Sequence, residues 1–348
     1  MNETIIQDLD FIINSDIGRE RLKDKTVLIT GACGMLLSYT TFAMLRLNEI
    51  YPKFNLKVIA LVRNKEKAKK ILGPYAKNKN LKLFKHDLSS PIKLSEKIDY
   101  IIHGASYASP RYFRSDPVAV ITPNVVGTYY LLELAKSKKI RGFLYFSSGA
   151  VYGRADTEVV KETGYGRLDP LDIMNCYGES KRMAENMCAS WYYQFGISTK
   201  IVRPAHVYGP TMDIKKDNRV FASFVNNIVN GKQIVMKSDG SAKRSFCYVA
   251  DATVAFFKVL LDGVSGEAYN IGNDKEYMSI KKLIQTIVTT FPERRIKVKI
   301  LNKKIKNGAK RGAEKMLMSS KRAEALGWKC AFSLCEGLKR TVNSFSNK

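Results

Sequence analysis

The sequence predicts an α/β fold in which a parallel sheet is covered by helices on both faces and is followed by a smaller mixed α/β lobe. Short apolar runs rich in β-branched residues alternate with stretches of helical spacing through the first 205 residues. Parallel strands need helical crossovers, and this alternation supplies them. With 348 residues, of which 45% are apolar, the chain is long enough for two lobes.

The individual elements follow from this pattern in chain order. Apolar runs predict strands at 26–30, 56–62, 81–84, 100–102, 143–146 and 199–202, and helical spacing predicts helices at 35–47, 117–138 and 177–195. Beyond Pro204, helices are predicted near 219–230, 251–261, 279–290 and 334–345. We therefore expect a helical extension at 1–24, a sheet domain at 25–205 to which about 245–265 returns, and a second lobe at 206–244 and 266–348.

The charge of the chain restricts its partners. The net charge is +26, from 58 basic and 32 acidic residues. The basic residues are spread over runs at 65–70, 136–139, 294–299 and 303–315, without interleaved aromatic residues, a helix-turn-helix or a zinc finger. We expect a solvated lysine-rich surface and no specific nucleic-acid partner. Weak attraction of anionic ligands or membrane surfaces stays an alternative.

The cysteine pattern indicates whether the chain binds metals or forms disulfides, and the hydropathy pattern indicates where in the cell it is found. Six cysteines are scattered without C-x-x-C spacing, and the chain has three histidines, so neither a metal site nor a disulfide framework is expected. Apolar runs fall short of the roughly 18–20 residues that span a bilayer, and the N-terminus lacks the basic region of a signal peptide. We expect a cytoplasmic protein without a transmembrane segment.

The turn after the first strand is a candidate phosphate site. Gly31 and Gly34 stand between the strand at 26–30 and the next helix. Such a turn points backbone N–H groups at a pyrophosphate, and a Cβ there would block the phosphate. This predicts a Rossmann-type dinucleotide-binding domain. Leu37 occupies the position of a frequent third glycine, which predicts slightly wider packing of the helix on the strand.

The ends of the second and third strands bear on which dinucleotide binds. An NAD site usually has an acid at the end of the second strand, but here Val62 is followed by Arg63. Arg63 either holds a 2′-phosphate or is a plain surface charge, so we predict NAD as the cofactor and leave NADP open. Asp87, after the third strand, could accept from the adenine amino group or serve only as a turn residue.

Tyr177 and Lys181 form a candidate catalytic pair, because side chains four residues apart share a helical face. A phenol with a pKa near 10 is a poor base at neutral pH, and a lysine ammonium about 5 Å away would lower that pKa by about two units. Tyr177 could then take a hydroxyl proton while hydride leaves the same carbon. Ser148, after the fifth strand, could hold the oxygen of that hydroxyl by a hydrogen bond.

Together these motifs resemble the extended short-chain dehydrogenase/reductases, the NAD-dependent epimerase/dehydratase family of nucleotide-sugar enzymes, from about residue 26 to 342. The resemblance is carried by Thr30-Gly31-x-x-Gly34, Ser148, Tyr177, Lys181 and the segments 99–105, 124–128, 203–210, 244–251, 269–272 and 326–328. It implies a nucleotide-diphosphate sugar as substrate and catalytic roles for Ser148, Tyr177 and Lys181.

The resemblance also implies the binding residues. Arg244 would contact the diphosphate and Arg219 the nucleotide base, although either could pair with a carboxylate. His206 would donate to phosphate, supply a proton, or be a plain pocket residue, and His103 is expected to be structural. The expected cofactor contacts are Gly31, Cys33, Gly34, Met35, Arg63, Asp87, Leu88, Gly104, Ala105, Tyr177 and Lys181. The expected substrate contacts are Tyr107, His206, Arg219, Val220 and Arg244.

Three positions depart from the family pattern. The segments 176–185 and 212–220 look most like UDP-glucuronate decarboxylases. By the same resemblance, dehydratases carry Asp-Glu and decarboxylases a Glu directly before the V-Y-G step, where this chain has Gly149 and Ala150. A decarboxylase arginine is replaced by Met174. Without these side chains, the resemblance implies chemistry that needs only oxidation and re-reduction at one carbon.

We therefore predict a nucleotide-sugar 4-epimerase, or a C4 dehydrogenase, working through a 4-keto intermediate in the synthesis of surface polysaccharide precursors. The alternatives are an NADPH-dependent 4-keto-sugar reductase, which Arg63 favours, a dehydratase or decarboxylase with atypical acids, and a non-enzymatic nucleotide-binding module. The resemblance also implies a homodimer through a four-helix contact of residues 125–138 and 179–195; an ordinary buried face on each helix is the alternative.

Overall fold

The computed structural model describes residues 1–217, 219–236, 238–301 and 315–346. The strands are β1 (Thr26–Thr30), β2 (Lys57–Val62), β3 (Leu81–Lys85), β4 (Tyr100–His103), β5 (Gly142–Phe146), β6 (Val159–Val160), β7 (Thr199–Pro204), β8 (His206–Tyr208), β9 (Ile234–Met236), β10 (Lys243–Tyr248), β11 (Ala268–Ile271), β12 (Tyr277–Ser279), β13 (Val298–Ile300) and β14 (Leu317–Met318). The helices are α1 (Glu3–Asn14), α2 (Met35–Ile50), α3 (Lys65–Leu72), α4 (Pro110–Ser115), α5 (Pro117–Lys138), α6 (Cys176–Phe195), α7 (Val220–Val229), α8 (Val249–Asp262), α9 (Ile280–Thr290), α10 (Lys321–Glu324) and α11 (Leu334–Ser346). The basic run predicted at 303–315 lies, apart from its last residue, outside the described residues.

The central sheet has seven parallel strands in the order β11-β7-β5-β4-β1-β2-β3. The strand order reverses at β1, so the carboxyl ends of β1 and β4 border a crevice of the kind in which α/β sheets bind ligands. Helices cover both faces, and two large apolar clusters fill the space between helices and sheet. This confirms the predicted doubly wound α/β fold and its six predicted strands.

The seventh strand was not among the predicted ones. Residues 243–248 form β10, which pairs with β8 and β12 in a separate three-stranded sheet, whereas α8, predicted as a helix near 251–261, packs against β5 and β7 of the central sheet. The expected return of 245–262 to the sheet domain stays a prediction. The strand that completes the central sheet is β11, which pairs with β7. Both β10 and β11 are short, largely buried runs, so their burial does not specify which neighbour each one pairs with.

The N-terminal helix α1 is packed into the fold. Leu9, Ile12 and Ile13 on this helix are buried in the main apolar cluster. The buried Asp8 carboxylate accepts hydrogen bonds from Tyr39 at 2.8 Å and from Tyr248 at 2.6 Å. It also pairs with Arg340 of α11 at 2.7 Å. The helix therefore links α2, the end of β10 and α11. The predicted boundaries between lobes stay a prediction.

Among the described residues, one helix, α5, is long and apolar enough to cross a membrane by length and composition alone. Its buried side chains, which include Leu131 and Leu132, pack in the apolar cluster on one face of the central sheet. The apolar composition of α5 is therefore used within the fold, as in the core helix of a globular domain.

Candidate active site

The turn between β1 and α2 is built for close backbone contact. Gly31 has a φ of +78°, and a Cβ placed on it would lie 2.8 Å from the Ala105 nitrogen and 2.9 Å from the Gly104 oxygen. The Gly34 nitrogen donates to the Gly31 oxygen at 2.8 Å, and Gly34 is the N-cap of α2. The glycines bring the start of α2 against the end of β4, which leaves room for a phosphate at the helix N-terminus.

Leu37 is accommodated by a glycine on the facing segment. A Cβ on Gly104 would lie 2.5 Å from Leu37 Cδ1. Leu37 itself is buried in the main apolar cluster. The space that a third glycine would provide on the helix is therefore provided by Gly104 after β4.

His103 holds the ends of β1 and β4 together. Its Nδ1 lies 2.7 Å from Thr30 Oγ1, and its Nε2 lies 3.1 Å from Thr128 Oγ1. Thr30 Oγ1 in turn accepts from the backbone nitrogens of Gly104 and Ala105. Burial, with the charge of Lys181, lowers the pKa of His103 to about 3, so the ring stays neutral. These contacts match the structural role predicted for His103.

A cavity of about 480 Å³ opens beside this turn, at the carboxyl ends of the strands. Seven of the predicted site residues line it: Gly31, Cys33, Arg63, Asp87, Leu88, Ala105 and Tyr107. Tyr107 was expected at the substrate but lies in this cavity. Gly34, Met35 and Gly104 adjoin the cavity through the glycine turn, whereas Tyr177 and Lys181 lie outside its lining.

Two features of the cavity suit a polar, phosphate-containing ligand. The Gly31 backbone forms part of a wall that a side chain would fill, and the buried hydroxyl of Ser106 has no hydrogen-bond partner among the described residues. Sequence reasoning missed Ser106, Asn64 and Lys67 as lining residues. Lys67 lies in the first turn of α3, four residues after Arg63, and this spacing was a usable signal.

The cavity carries cationic groups where β2 ends. Arg63 and Lys67 both line it. Arg63 Nη1 donates to the Tyr107 hydroxyl, and its guanidinium lies 4.7 Å from the centroid of that ring. The Asp87 carboxylate accepts from the Ser89 nitrogen at 2.9 Å, and hydrogen bonds from Ser89 hold the pKa of Asp87 below its usual value. Asp87 thus forms a turn contact while it faces the cavity.

Tyr177 and Lys181 lie together in the first turns of α6, both buried. Lys181 Nζ lies 5.7 Å from the Tyr177 ring centroid and donates to the Phe146 oxygen at 2.6 Å. Burial lowers the pKa of Lys181 to about 7. Burial also raises the pKa of Tyr177, and a hydrogen bond with Ser148 and the charge of Arg219 act against that increase.

The expected lowering of the Tyr177 pKa is therefore wrong for the chain by itself. We expected the ammonium of Lys181 to stabilise the phenolate, but burial disfavours both charged forms. Desolvation is the largest effect on each residue. In this environment a positive charge that a ligand brings near Tyr177 lowers the pKa of Tyr177 strongly, because little water is present to screen that charge.

The position after Ser148 is closed by a methionine. A Cβ on Gly149 would lie 2.5 Å from Met318 Sδ and 3.7 Å from Met316 Cε. Met318 is 3% exposed, and it is held in place by the pairing of β14 with β6. A thioether therefore fills the space into which a side chain at position 149 would extend, and it has no proton to transfer.

Three of the predicted substrate residues, His206, Arg219 and Arg244, lie near one another, whereas Tyr107 lies in the cavity. The protein packed around His206 and the charges of Arg244 and Arg219 lower the pKa of its imidazole. Arg219 Nη2 pairs with Asp217 Oδ2 at 2.6 Å. Arg219 therefore forms the ion pair with a carboxylate that was the alternative to binding the nucleotide base. Arg244 Nη1 donates to the Lys243 oxygen at 2.7 Å. Val220 is exposed at the start of α7, and residue 218, two positions earlier, lies outside the described residues.

Comparison with known proteins extends these findings. Residues 27–272 match the model of the NAD-dependent epimerase/dehydratase family. The chain is 31% identical to UDP-glucuronic acid decarboxylase 6 of Arabidopsis thaliana over 321 residues, which are 92% of this chain and 88% of that protein. It is 28% identical to UDP-glucuronic acid decarboxylase 1 of Xenopus tropicalis, over 92% of this chain and 72% of that protein.

Solved structures share the fold. A UDP-glucuronic acid 4-epimerase from Bacillus cereus in complex with NAD superposes with a TM-score of 0.75 and 23% identity, over 92% of this chain and 99% of that one. A dTDP-glucose 4,6-dehydratase from Bacillus anthracis in complex with NAD gives 0.73 and 19%, over 93% and 97%. At these identities the likeness concerns the fold.

Proposed function

The chain belongs to the NAD-dependent epimerase/dehydratase family, and from this membership we propose that it is a nucleotide-sugar 4-epimerase working through a 4-keto sugar. It is an enzyme with NAD as its cofactor, as the family is defined. The observation that carries the specific proposal is the closure of position 149 by Met318, beside Ser148. By the resemblance, position 149 holds the first acid of the dehydratase pair, and Met318 leaves no space for it. Position 150 holds the glutamate that dehydratases and decarboxylases share, and Ala150 has no proton to transfer there, whereas a hydrogen bond joins Tyr177 to Ser148.

Each residue then has one task. The Tyr177 oxygen takes the proton of the sugar 4-hydroxyl and later returns it. Ser148 holds the oxygen of that sugar hydroxyl by a hydrogen bond. Lys181 is anchored on the Phe146 oxygen, where its charge favours the phenolate when it is protonated. The glycine turn and the cavity would hold the cofactor. When bound, NAD supplies reversible hydride transfer at C4.

A nucleotide diphosphate is the proposed handle of the substrate. Arg219, Arg244 and His206 are close enough for the two guanidinium charges to affect the imidazole, so the second lobe offers a cationic surface. Guanidinium groups suit phosphate oxygens, which accept two parallel hydrogen bonds. The names of the similar UDP-glucuronic acid decarboxylases also support a UDP-linked sugar.

The test is product analysis with a panel of nucleotide sugars. Purified protein and NAD are incubated with UDP-, dTDP- and GDP-linked hexoses and with UDP-glucuronate, and the products are identified by NMR. We expect interconversion of one pair of C4 epimers, with no change in mass and no net consumption of cofactor. No interconversion with any member, or loss of water or CO2, contradicts the proposal.

A second candidate is an NADPH-dependent 4-keto-sugar reductase. It is favoured by one observation: Arg63 and Lys67 line the cavity at the end of β2, where they could bind a 2′-phosphate. A reductase consumes NADPH in proportion to product, and an epimerase does not. Absorbance of the reduced cofactor during turnover therefore separates the two functions.

We also propose a cytoplasmic homodimer in a pathway of surface polysaccharide precursors. α5 and α6 pack against each other, and their outer faces expose large apolar side chains. These include Val126 and Tyr129 on α5 and Met183 and Tyr193 on α6. A second copy would bury them in a four-helix contact. Light scattering of the purified protein tests this: a dimer mass is expected, and a monomer mass at micromolar concentration contradicts it.

A further inference from the structure

The ring of Phe113 lies flat against the ring of Tyr177. The centroids are 5.2 Å apart and the planes differ by 11°. Phe113 belongs to α4, a six-residue helix, and Tyr177 to the first turn of α6. A near-parallel ring pair at this distance is attractive, so each ring restricts the orientation of the other. Among the described residues, Phe113 is the one aromatic ring that stacks on Tyr177.

A second contact attaches Phe113 to the same turn. Cys176 Sγ donates to the Phe113 carbonyl oxygen at 3.9 Å. α4 also packs against the short helical turn Ile173–Asn175, which leads directly into α6. Phe113 therefore contacts Tyr177 through its ring and Cys176 through its backbone, so the spacing of α4 and α6 is fixed at this point.

Lys181 contacts the ring of Tyr177 only loosely, because its Nζ donates to the Phe146 oxygen and lies 4.7 Å from the Tyr145 ring centroid but 5.7 Å from that of Tyr177. The hydrogen bond with Ser148 holds only the tip of the phenol. Because a ring that swings about its Cα–Cβ bond moves its hydroxyl oxygen farthest, a contact on the ring face controls where that oxygen lies.

We propose that Phe113 is a positioning residue, whose ring holds the Tyr177 phenol in the orientation needed for proton transfer. The proposal rests on the proposed role of Tyr177 as the base. Phe113 does not have to touch the substrate for this task. Its loss should therefore lower kcat and leave KM nearly unchanged.

Phe113 also shields the phenol from water. The ionisable groups that face Tyr177 are Lys181 and Cys176 on α6, Tyr145 on β5 and Arg219 at the start of α7. Burial raises the pKa of Tyr177 against the charge of Arg219. Replacing Phe113 by alanine admits water while these groups remain, so the Tyr177 pKa should fall. Tyr177 would then ionise more readily, but the enzyme would turn over more slowly because the phenol is no longer held in position.

The experiment compares Phe113→Ala with the ring-conserving Phe113→Tyr and with Tyr112→Ala. Tyr112 is the matched control, because its ring packs on Tyr107 and its hydroxyl is bonded to Arg111. Ionisation of Tyr177 is followed by ultraviolet difference titration, with the Tyr177→Phe form of each protein as reference. For Phe113→Ala we expect the midpoint to fall by about half a pH unit or more, and kcat to fall at least about tenfold. Phe113→Tyr and Tyr112→Ala should behave as the parent.

Several outcomes overturn the proposal. They are an unchanged midpoint and kcat in Phe113→Ala, the same losses in Phe113→Tyr, or the same shift in Tyr112→Ala. The titration needs no substrate, so it judges Phe113 even if the parent protein proves not to be a 4-epimerase. A parent protein without 4-epimerase activity would contradict the proposed function but not the role of Phe113.

Discussion

At the scale of single residues, Gly149 and Met318 form a matched pair. Gly149 is not among the glycines with a positive φ, so its backbone does not require glycine. Its small size is required instead by Met318, whose sulfur would lie 2.5 Å from a Cβ at this position. The pair replaces a polar side chain beside Ser148 by an apolar contact, and this limits the chemistry that the site can perform.

Replacing Gly149 by alanine should therefore destabilise the protein by about 1–3 kcal/mol, because the buried Met318 must shift. Urea unfolding measures this change. In Gly149→Ala/Met318→Ala the alanine gains space, so the double variant should lose less than the sum of the two single losses. Simple additivity would show that the two side chains do not compete for the same space.

We predict that Arg63 controls how tightly the cavity binds a cofactor with a 2′-phosphate. Arg63→Ala should weaken NADP(H) binding by about tenfold, since a charge-assisted contact is lost. NAD binding should change by less than about twofold, because that cofactor has no group for Arg63 to neutralise. Calorimetric titration with both cofactors tests this, and equal weakening of both would place Arg63 elsewhere on the dinucleotide.

At the scale of elements, the junction of β1, α2 and β4 shows how a large residue on a helix is accommodated by a glycine on the facing segment. Leu37 on α2 stands where a glycine was expected, and Gly104 after β4 gives it room. The sequence contained both residues, but their contact depends on the crossing of a helix and a strand that are far apart in the chain. Local patterns do not report such distances.

Gly104→Ala should accordingly lower the free energy of unfolding by about 1–3 kcal/mol, because its Cβ would lie 2.5 Å from Leu37 Cδ1. Shortening the partner in Gly104→Ala/Leu37→Ala should recover part of the cofactor affinity that Gly104→Ala loses. Chemical denaturation and NAD titration of these two variants and the parent test this. A double variant as weak in NAD binding as Gly104→Ala would mean that Leu37 is not the obstacle.

The same elements show how far the sequence could be interpreted. The strands at the N-terminal end and the glycine turn were predictable, because each one depends on residues adjacent in the chain. The placement of β11 and the contact between Met318 and Gly149 were not, since both join segments more than 60 residues apart. Phe113 gave no signal, as a lone aromatic residue in a short helix has many possible partners. The Tyr177 pKa was mispredicted because burial could not be judged from spacing.

At the scale of the whole molecule, α8 connects the sheet to the C-terminal segment through Asp251. Its carboxylate accepts from the Ala331 nitrogen at 2.9 Å and from the Phe332 nitrogen at 3.1 Å. Its backbone oxygen accepts from Trp328 Nε1 at 2.8 Å. Burial raises the pKa of Asp251 from 3.8 to about 7, so the folded chain binds this proton more tightly than the unfolded chain.

Stability should therefore fall as pH rises from about 4 to about 7, because the unfolded chain releases this proton first. The contribution of Asp251 to that fall is on the order of a few kcal/mol. Urea unfolding at pH 5 and pH 8 should show a smaller difference for Asp251→Asn than for the parent, whatever the absolute stability of the variant. Equal differences would assign the pH dependence to other groups, such as Asp8.

The most direct test of the account follows the hydrogen at C4 of the sugar. The parent protein and Tyr177→Phe are each incubated with NAD and a nucleotide sugar deuterated at C4, chosen as the active member of the panel. We predict that the parent forms the C4 epimer with deuterium still at C4, and that Tyr177→Phe slows this by about a thousandfold or more. Unchanged turnover by Tyr177→Phe, or an epimer that has exchanged its C4 deuterium for solvent hydrogen, would contradict it.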